Sequence, residues 1–178
     1  MSDLVWYFAY GSNMQPATFR GRRGIVARQA IPARLAGWQL VFDKPPLLPV
    51  GQGMANIVAT EGARVLGVAY AVTAEDLAHI DLTEGVLIDN YQRVAVRVVP
   101  LDGAGPELEA FTLTSDRRDG SLRPSSRYMA LLIEGARSHG LPAGYIEWLA
   151  ARPAVEESPE AAVAHRFIDL ALKKEEPR

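Results

Sequence analysis

The chain has 178 residues, a formal net charge of −2 at pH 7, and 48% hydrophobic against 22% charged residues. These values are typical of a globular protein and exclude a disordered chain, and the nearly balanced charge gives no reason to expect nucleic acid as a partner. The absence of cysteine excludes disulfides, thiolate nucleophiles and cysteine-bound metals. The length favours a single domain over residues 1–178, with a C-terminal helix and tail at about 158–178.

Other features of common protein classes are also missing from the sequence. The first residues lack the positive and apolar regions of a signal peptide, and no apolar run approaches the ~18 residues of a membrane helix. We therefore expect a cytoplasmic protein that does not act at a membrane. His79, His139 and His165 lie far apart without metal-ligand spacing, and no phosphate-binding glycine loop or GxSxG motif is present.

The chain begins with a predicted strand. Leu4 to Tyr10 is short, apolar and rich in aromatic residues, which is typical of a buried strand, and it ends at the turn-forming residues Gly11-Ser12-Asn13. Asn13 is expected to cap a short helix from Met14 to Arg20, with Pro16 tolerated in its first turn.

Three more strands are predicted next, at Ala33 to Asp43, Met54 to Thr60 and Val65 to Val72. Glu61-Gly62 is expected to form the turn between the last two. The residues from Lys44 to Gly53 include three prolines and two glycines, so they are expected to form a loop.

The pattern then changes to that of a helix. An acidic variant of the capping box, Thr73 to Asp76, opens this helix, which is expected to end near Asp81 and to be followed by a turn at Thr83-Glu84-Gly85. Beyond it, alternation of apolar and polar residues over 93–98, and more weakly over 109–114, predicts two strands joined by a hairpin-like connection.

The C-terminal third of the chain predicts helices. Ser125 is expected to cap the first of them, which ends at His139-Gly140, and two more helices open at Pro142 and Ser158-Pro159. This order of elements, with strands, one short helix, strands and then helices, predicts an α+β fold with a mostly antiparallel sheet.

The turn after the first strand is a candidate anion site. In Tyr10-Gly11-Ser12-Asn13, consecutive backbone N–H groups can point at one place, the glycine lets a ligand approach the backbone, and two side chains add donors. A substrate carboxylate would fit there. The competing interpretation is an ordinary strand–turn–helix with an asparagine cap, which is the more common use of such residues.

Glu84 is the candidate proton carrier, because it lies between a helix end and a strand start, where loops often carry catalytic groups. Taken alone, it is an ordinary surface glutamate. Tyr91 is by itself a core aromatic of a strand, and Tyr128 a half-buried residue in the first turn of the long helix.

A basic cluster follows the first turn, at Arg20, Arg22 and Arg23. These side chains would attract an anionic substrate. A solvated basic loop is the more common arrangement for such a cluster, and we expect it here.

Together these motifs resemble the γ-glutamylcyclotransferase family over about residues 7–149. The similarity lies in Phe8-Ala9-Tyr10-Gly11-Ser12-Asn13-Met14, in Gly67-Val68-Ala69-Tyr70, in Glu84-Gly85 with Tyr91 downstream, and in Pro124-Ser125-Ser126-Arg127-Tyr128 leading to residues 135–142. Each motif alone is weak, whereas several in the right order and spacing are fairly specific.

The resemblance implies a mixed, mostly antiparallel β-barrel with flanking helices and a site at its mouth. It implies a γ-glutamyl small molecule as the substrate, Glu84 as the general acid/base, and no metal or cofactor. The substrate-binding residues that it implies are Tyr10, Gly11, Ser12, Asn13, Met14, Tyr91 and Tyr128. The oligomeric state is left open, and a homodimer is one option.

Two positions bear on the choice of substrate. Glutathione-specific relatives resemble Tyr-Gly-Ser-Leu and relatives acting on γ-glutamylamines resemble Tyr-Gly-Thr-Leu, whereas this chain has Asn13 at the fourth position. Asp89 stands where family members often carry a glycine. Aspartate can adopt the left-handed backbone that such a turn requires, and the pocket wall is expected to gain its carboxylate.

The predicted reaction converts a γ-glutamyl amide to 5-oxoproline and a free amine. Three alternatives stay open at this stage. The enzyme could release a γ-glutamyl group from a specialised metabolite, with Leu87, Ile88 and the loop from Pro45 to Pro49 shaping the pocket for the leaving group. The fold could serve as a non-catalytic small-molecule-binding member, or the enzyme could be a hydrolase in which water replaces the α-amine.

Overall fold

A computed structural model describes residues 4–47, 51–103 and 105–171 of the chain. Its centre is a closed barrel of five strands in the order β1-β3-β2-β4-β5. The strands are β1 (Leu4–Ala9), β2 (Gln29–Lys44), β3 (Met54–Thr73), β4 (Gln92–Pro100) and β5 (Leu108–Thr114). Every neighbouring pair is antiparallel except β1 and β5, which are parallel. The predicted mixed, mostly antiparallel barrel with flanking helices is therefore confirmed.

Four α-helices flank the barrel in the part of the chain that the structure describes. They are α1 (Ala74–Glu84), α2 (Ser126–Ser138), α3 (Ala143–Ala150) and α4 (Pro159–Ala171). Helix α2 packs onto the barrel, and its fully buried Leu132 belongs to the same hydrophobic core as Leu149 of α3 and Phe8 of β1. Among the described residues, no helix is long and apolar enough to cross a membrane.

The prediction of two separate strands between residues 54 and 72 is wrong. β3 runs unbroken through Gly62 because both of its halves pair with the single long strand β2. The pairing register shifts between Ala36 and Trp38 of β2, and both Gly37 and Gly62 have positive φ angles, of 78° and 74°. The glycine thus marks an irregularity that bends the two paired strands rather than a turn that ends one of them.

The helix predicted from Met14 to Arg20 takes a different form. A 3₁₀ turn at Ser12–Met14 is followed by a π-helix at Ala17–Arg22, and neither has a side-chain cap. Asn13 cannot act as a cap because its amide is engaged elsewhere, as described below. The five-residue hydrogen bond from the N–H of Arg23 to the carbonyl of Thr18 closes the π-helix.

Helix α1 is longer than predicted and ends at Glu84 rather than near Asp81. Its start follows the prediction, since the Thr73 hydroxyl accepts a hydrogen bond of 3.1 Å from the N–H of Asp76. At the other end Gly85 has a φ of 72° and its N–H bonds to the carbonyls of the last turn. Glu84 is therefore the last residue of a capped helix, which holds its backbone in place.

Helix α2 supports the turn after β1 through a glycine. A Cβ added at Gly135 would lie 2.7 Å from the carbonyl carbon of Met14 and 2.7 Å from the nitrogen of Gln15. Real Cβ atoms do not approach backbone atoms so closely, so the absence of a side chain lets the helix touch the segment that follows Asn13.

We expect Gly135→Ala to lower the free energy of unfolding by roughly 1–3 kcal/mol, because overpacking against backbone outweighs the higher helix propensity of alanine. Gly144→Ala in α3 is the matched control, since a Cβ added there meets nothing within 4 Å. The control should be neutral or stabilising by up to about 1 kcal/mol. Urea denaturation of both variants measures the difference, and equal stability of the two would contradict the close approach.

Candidate active site

A cavity of about 430 Å³ opens at one end of the barrel. Around it lie Lys44 at the end of β2 and Leu113 near the end of β5, together with Met54 at the start of β3. Tyr10 follows β1 and Tyr91 precedes β4. Since the ends of β1, β2 and β5 and the starts of β3 and β4 lie at the same end of the barrel, the cavity occupies its mouth.

The structure brings seven of the eight predicted site residues to this cavity. They are Tyr10, Gly11, Ser12, Asn13, Glu84, Tyr91 and Tyr128. Met14, the eighth, is fully buried under α2 and does not line the cavity. The turn after β1 and the end of α1 therefore meet at one cavity. Asn13 and Glu84, which represent these two segments, are 71 residues apart in the chain.

Glu84 is the only carboxylate among the described residues that line the cavity. One of its oxygens, Oε1, accepts a hydrogen bond of 2.9 Å from the side-chain amide of Asn13 and another from the guanidinium of Arg23. The side chain is 17% exposed, so it is largely dry but still reachable from the cavity. A carboxylate in this setting can exchange protons with a bound molecule.

Arg23 was missed as a site residue by sequence reasoning, which treated the basic cluster as a solvated loop. The prediction is wrong for Arg23, whose side chain is only 7% exposed, whereas Arg20 is exposed as expected. The guanidinium donates from Nε to Asn13 Oδ1 at 2.7 Å, from Nη1 to the Thr83 hydroxyl, and from Nη2 to Glu84. It thus fixes the asparagine and the carboxylate relative to each other.

Asn13 is the centre of this network. Besides its bond to Glu84, its amide Nδ2 donates to the hydroxyl of Tyr7 at 3.0 Å, and its Oδ1 accepts from Arg23. A leucine at this position, as in the relatives of the other two branches, could make none of these bonds. The asparagine therefore ties the turn after β1 to the end of α1.

Four tyrosines form the floor of the cavity with their hydroxyls in fixed positions. Tyr10 donates to the Leu113 carbonyl at 2.6 Å and Tyr91 to the Ala55 carbonyl at 2.8 Å, whereas Tyr128 accepts from the Ala55 N–H at 3.2 Å. Burial raises the pKa of the Tyr7, Tyr10 and Tyr91 hydroxyls above their usual value, and that of Tyr128 to about 12. All four stay protonated at neutral pH, so none of them is a general base there.

A second cation, Lys44, lies in the cavity wall, although the sequence placed it at the start of a loop. It is the last residue of β2 and is 1% exposed. Its ammonium donates to Asn90 Oδ1 and lies 4.6 Å from the centre of the Tyr91 ring. Asn90 in turn donates from Nδ2 to the backbone carbonyl of Glu84 at 2.8 Å, which links the lysine to the end of α1.

Asp89 has the left-handed backbone that was expected, with a φ of 54°, and it is the only residue other than glycine with a positive φ among those that the structure describes. The expectation about its side chain is wrong. Asp89 is exposed and does not line the cavity, because the 3₁₀ turn at Val86–Ile88 leaves it facing solvent. The neighbouring residue, Asn90, is the one that reaches the cavity wall.

Apolar side chains surround the entrance. Leu47, Leu82 and Ile88 line the cavity and yet are 47%, 61% and 64% exposed. Pro46 lies beside them, whereas Leu87 is 82% exposed and does not reach the cavity. Residues 48–50 of the predicted proline-rich loop lie outside the described residues.

The three histidines differ in their surroundings. His139 follows the C-terminus of α2, as predicted, with its Nε2 at 2.9 Å from the Tyr70 hydroxyl, and burial lowers its pKa. His165 of α4 lines the cavity, with its Nδ1 at 2.7 Å from a carboxylate oxygen of Glu157. Within the described ranges, no group of three or more histidine or acidic residues could hold a metal ion.

The chain was compared with known families and proteins. The model of the AIG2-like family matches residues 64–149. The chain is 33% identical over 162 residues to γ-glutamyl cyclotransferase aclK of Aspergillus oryzae, an alignment that covers 80% of this chain and 59% of that protein. The chain thus spans less than two thirds of the fungal relative's length.

A mammalian relative and a solved structure align over more of their length. Human γ-glutamylcyclotransferase is 29% identical over 174 residues, covering 96% of this chain and 88% of the human protein. The solved structure of a γ-glutamyl cyclotransferase has a TM-score of 0.75 at 26% identity, and the match covers 93% of this chain and 99% of that one. The chain is therefore similar to γ-glutamylcyclotransferases both in sequence and in the architecture of its barrel.

Proposed function

We propose that the protein is a cyclotransferase that converts a γ-glutamyl amide to 5-oxoproline and a free amine, with Glu84 as its general acid/base. The observation that carries this proposal is the position of Glu84. It is the single carboxylate among the described cavity-lining residues, and Asn13 holds it next to the turn at Gly11 and Ser12. The names of the fungal and human relatives agree with this activity.

The reaction needs proton transfer more than it needs an enzymic nucleophile. The α-amine of the substrate attacks its own γ-carbonyl carbon, the new C–N bond closes a five-membered ring, and the bond from that carbon to the leaving nitrogen breaks. Because the nucleophile is tethered, holding the reactive conformation can supply several kcal/mol of the barrier. The chain has no cysteine to offer as a nucleophile, and this mechanism requires none.

Glu84 would carry the protons. The α-ammonium of the substrate must lose one proton before it attacks and a second as the ring closes, and the leaving nitrogen must gain one before it departs. A carboxylate between the two nitrogens can take a proton from one and give it to the other. Its hydrogen bonds with Asn13 and Arg23 would hold the carboxylate in one position during these transfers.

The turn after β1 would hold the glutamyl end of the substrate. Gly11 and Ser12 line the cavity on the same side as Asn13, and the glycine lets a carboxylate approach the backbone. The glutamyl carbons of the substrate would pack against the aromatic rings of Tyr10, Tyr91 and Tyr128. The hydroxyl of each tyrosine is hydrogen-bonded to a backbone group.

The test is to incubate the protein with γ-glutamylalanine and to measure 5-oxoproline, free glutamate and free alanine together. A cyclotransferase forms 5-oxoproline and alanine in equal amounts. Free glutamate in place of 5-oxoproline would show a hydrolase instead. Tight binding by calorimetry without any product would show a non-catalytic member of the fold.

A larger leaving group is the second candidate, and the apolar entrance favours it. Leu47, Leu82 and Ile88 are exposed to solvent where the cavity opens, and a hydrophobic amine released from a specialised metabolite would cover them. A panel of γ-glutamyl amides with leaving groups of increasing apolar surface separates the two candidates. A kcat/KM that rises with that surface supports the metabolite, and one that falls supports small amino acids.

A further inference from the structure

Lys44 is buried in the cavity wall without a charged partner. Its side chain is 1% exposed, and its ammonium contacts the neutral oxygen of Asn90 and the face of the Tyr91 ring. Within the described parts of the chain it forms no ion pair with a carboxylate. Burying a cation in this way is unfavourable unless an anion compensates it, so the position invites an anionic ligand.

The surrounding charges strengthen this point. Asn90 Oδ1 accepts a second cationic donor, Nη1 of Arg117, at 3.3 Å, so two positive charges share one neutral oxygen. Glu84, the only carboxylate among the cavity-lining residues that the structure describes, is already paired with Arg23. Burial, followed by repulsion from Arg117, lowers the pKa of Lys44 to about 8, while the attraction of Glu84 opposes this shift. This wall of the cavity therefore carries an excess of positive charge.

The barrel order shows where this charge lies relative to the turn at Gly11. β1 pairs with β3 and β5, so the two strands that do not touch it are β2 and β4. Lys44 ends β2, and Asn90 and Tyr91 directly precede β4. The lysine thus lies across the mouth of the barrel from the turn that follows β1, with Glu84 contacting both sides through Asn13 and Asn90.

We infer that Lys44 binds the carboxylate of the amino acid that is released, and so selects γ-glutamyl substrates whose leaving group is an α-amino acid. The inference rests on the proposed function. With the glutamyl carboxylate at the turn and the second carboxylate at Lys44, the scissile amide spans the cavity beside Glu84. The apolar entrance then contacts the side chain of the leaving amino acid, where Leu82 and Ile88 are exposed.

The experiment compares γ-glutamylalanine with γ-glutamylalanine amide, which differ only in the carboxylate that Lys44 would bind. The wild-type protein is expected to use the acid with a kcat/KM about 10- to 100-fold higher, as is usual for a hydrogen-bonded charge pair. Lys44→Met should reduce the preference for the acid over the amide by that factor, mainly by raising KM for the acid. Arg34→Met, which removes an exposed cation from the same strand, is the control.

The pH dependence of the wild-type protein gives a second measurement that does not depend on the folding of any variant. Since kcat/KM reports the free enzyme, the ratio of kcat/KM for acid over amide cancels every pH effect that the two substrates share. Lys44 is cationic below its pKa of about 8 and neutral above it. The ratio is therefore expected to be high at pH 7 and to fall as the pH rises through about 8.

The outcomes separate the two proposals. If neither substrate yields 5-oxoproline, the proposed function fails. If both do so with the same kcat/KM at every pH, or if Lys44→Met lowers both equally, the enzyme is a cyclotransferase and Lys44 does not recognise the leaving carboxylate. A preference for the amide that Lys44→Met leaves intact would contradict the inference in the same way.

Discussion

Glu84→Gln is expected to lower kcat by roughly 10²–10⁴-fold, the usual contribution of a general acid/base, while the protein stays folded. Glutamine keeps the size of the side chain and still offers an oxygen to Asn13, but it cannot take up or release a proton. The change should therefore act on kcat much more than on KM. Single-turnover measurements of 5-oxoproline formation, with circular dichroism for the fold, test this.

Two matched variants make the result specific. Glu75→Gln removes an exposed carboxylate from the first turn of the same helix and should leave turnover within about twofold of the wild type. His165→Gln removes the histidine that lines the cavity, and its effect should be far smaller than that of Glu84→Gln. If Glu84→Gln keeps near-normal turnover while His165→Gln abolishes it, the proton carrier has been assigned to the wrong residue.

Arg23→Met is the second change with a large expected effect, and it acts on stability and on turnover together. It leaves Glu84 largely buried without its cation and removes the bonds to Asn13 and Thr83. We expect a loss of up to about 3 kcal/mol in the free energy of unfolding, at the lower end for a broken buried pair because Glu84 can reach water in the cavity. Urea denaturation measures this loss.

The kinetics of the same variant test a role that goes beyond stability. Arg23 holds the carboxylate of Glu84 and the side-chain oxygen of Asn13 in place through hydrogen bonds. Because misplacing a reacting group slows the chemical step, kcat should fall by roughly 10- to 100-fold in Arg23→Met even where the variant is fully folded, and Arg23→Lys should restore part of it. Arg20→Met, an exposed cation of the same segment, is the control. A destabilised variant whose folded fraction keeps the wild-type kcat would show that Arg23 only supports the fold.

The barrel and the meeting of Glu84 with the first turn could be predicted from the sequence, and the reason lies in the local patterns. Alternation over β4, the capping box before α1 and the turn residues at Gly11 each have a direct physical meaning over a few residues. Family resemblance then joined these pieces into one cavity, because no local pattern states which loops lie next to each other.

Arg23 and Lys44 could not be found in the same way. Of the three arginines near residue 20, Arg23 alone is buried, and the π-helix that precedes it has no distinctive sequence pattern. Lys44 comes directly after the predicted strand, which ends at Asp43, and precedes Pro45 and Pro46. This position indicates a loop rather than a buried cation. Both roles depend on partners far away in the chain, namely Glu84 and Asn90.

At Gly62 the sequence predicts a feature that the structure does not contain, namely a turn between two strands. A turn residue between two apolar runs normally separates two strands, and the sequence alone offers no reason to choose otherwise. The choice depends on β2, whose single length of 16 residues pairs with both halves. Because β2 is long enough to pair on both sides of the irregularity, β3 bends with it at Gly62 instead of reversing direction there.

The 3₁₀ turn at Val86–Ile88 has an evolutionary consequence. It contributes no buried side chain, yet Ile88 stands at the entrance, while Glu84 is fixed separately by the glycine cap of its helix. Natural variation can therefore accumulate at Leu87 and Ile88, which are exposed, with little cost in stability and without displacing Glu84, whereas Val86 packs against the core. Substitutions in this segment alone could change which leaving groups fit the entrance. Orthologues that share the barrel can therefore differ in the substrates that they accept.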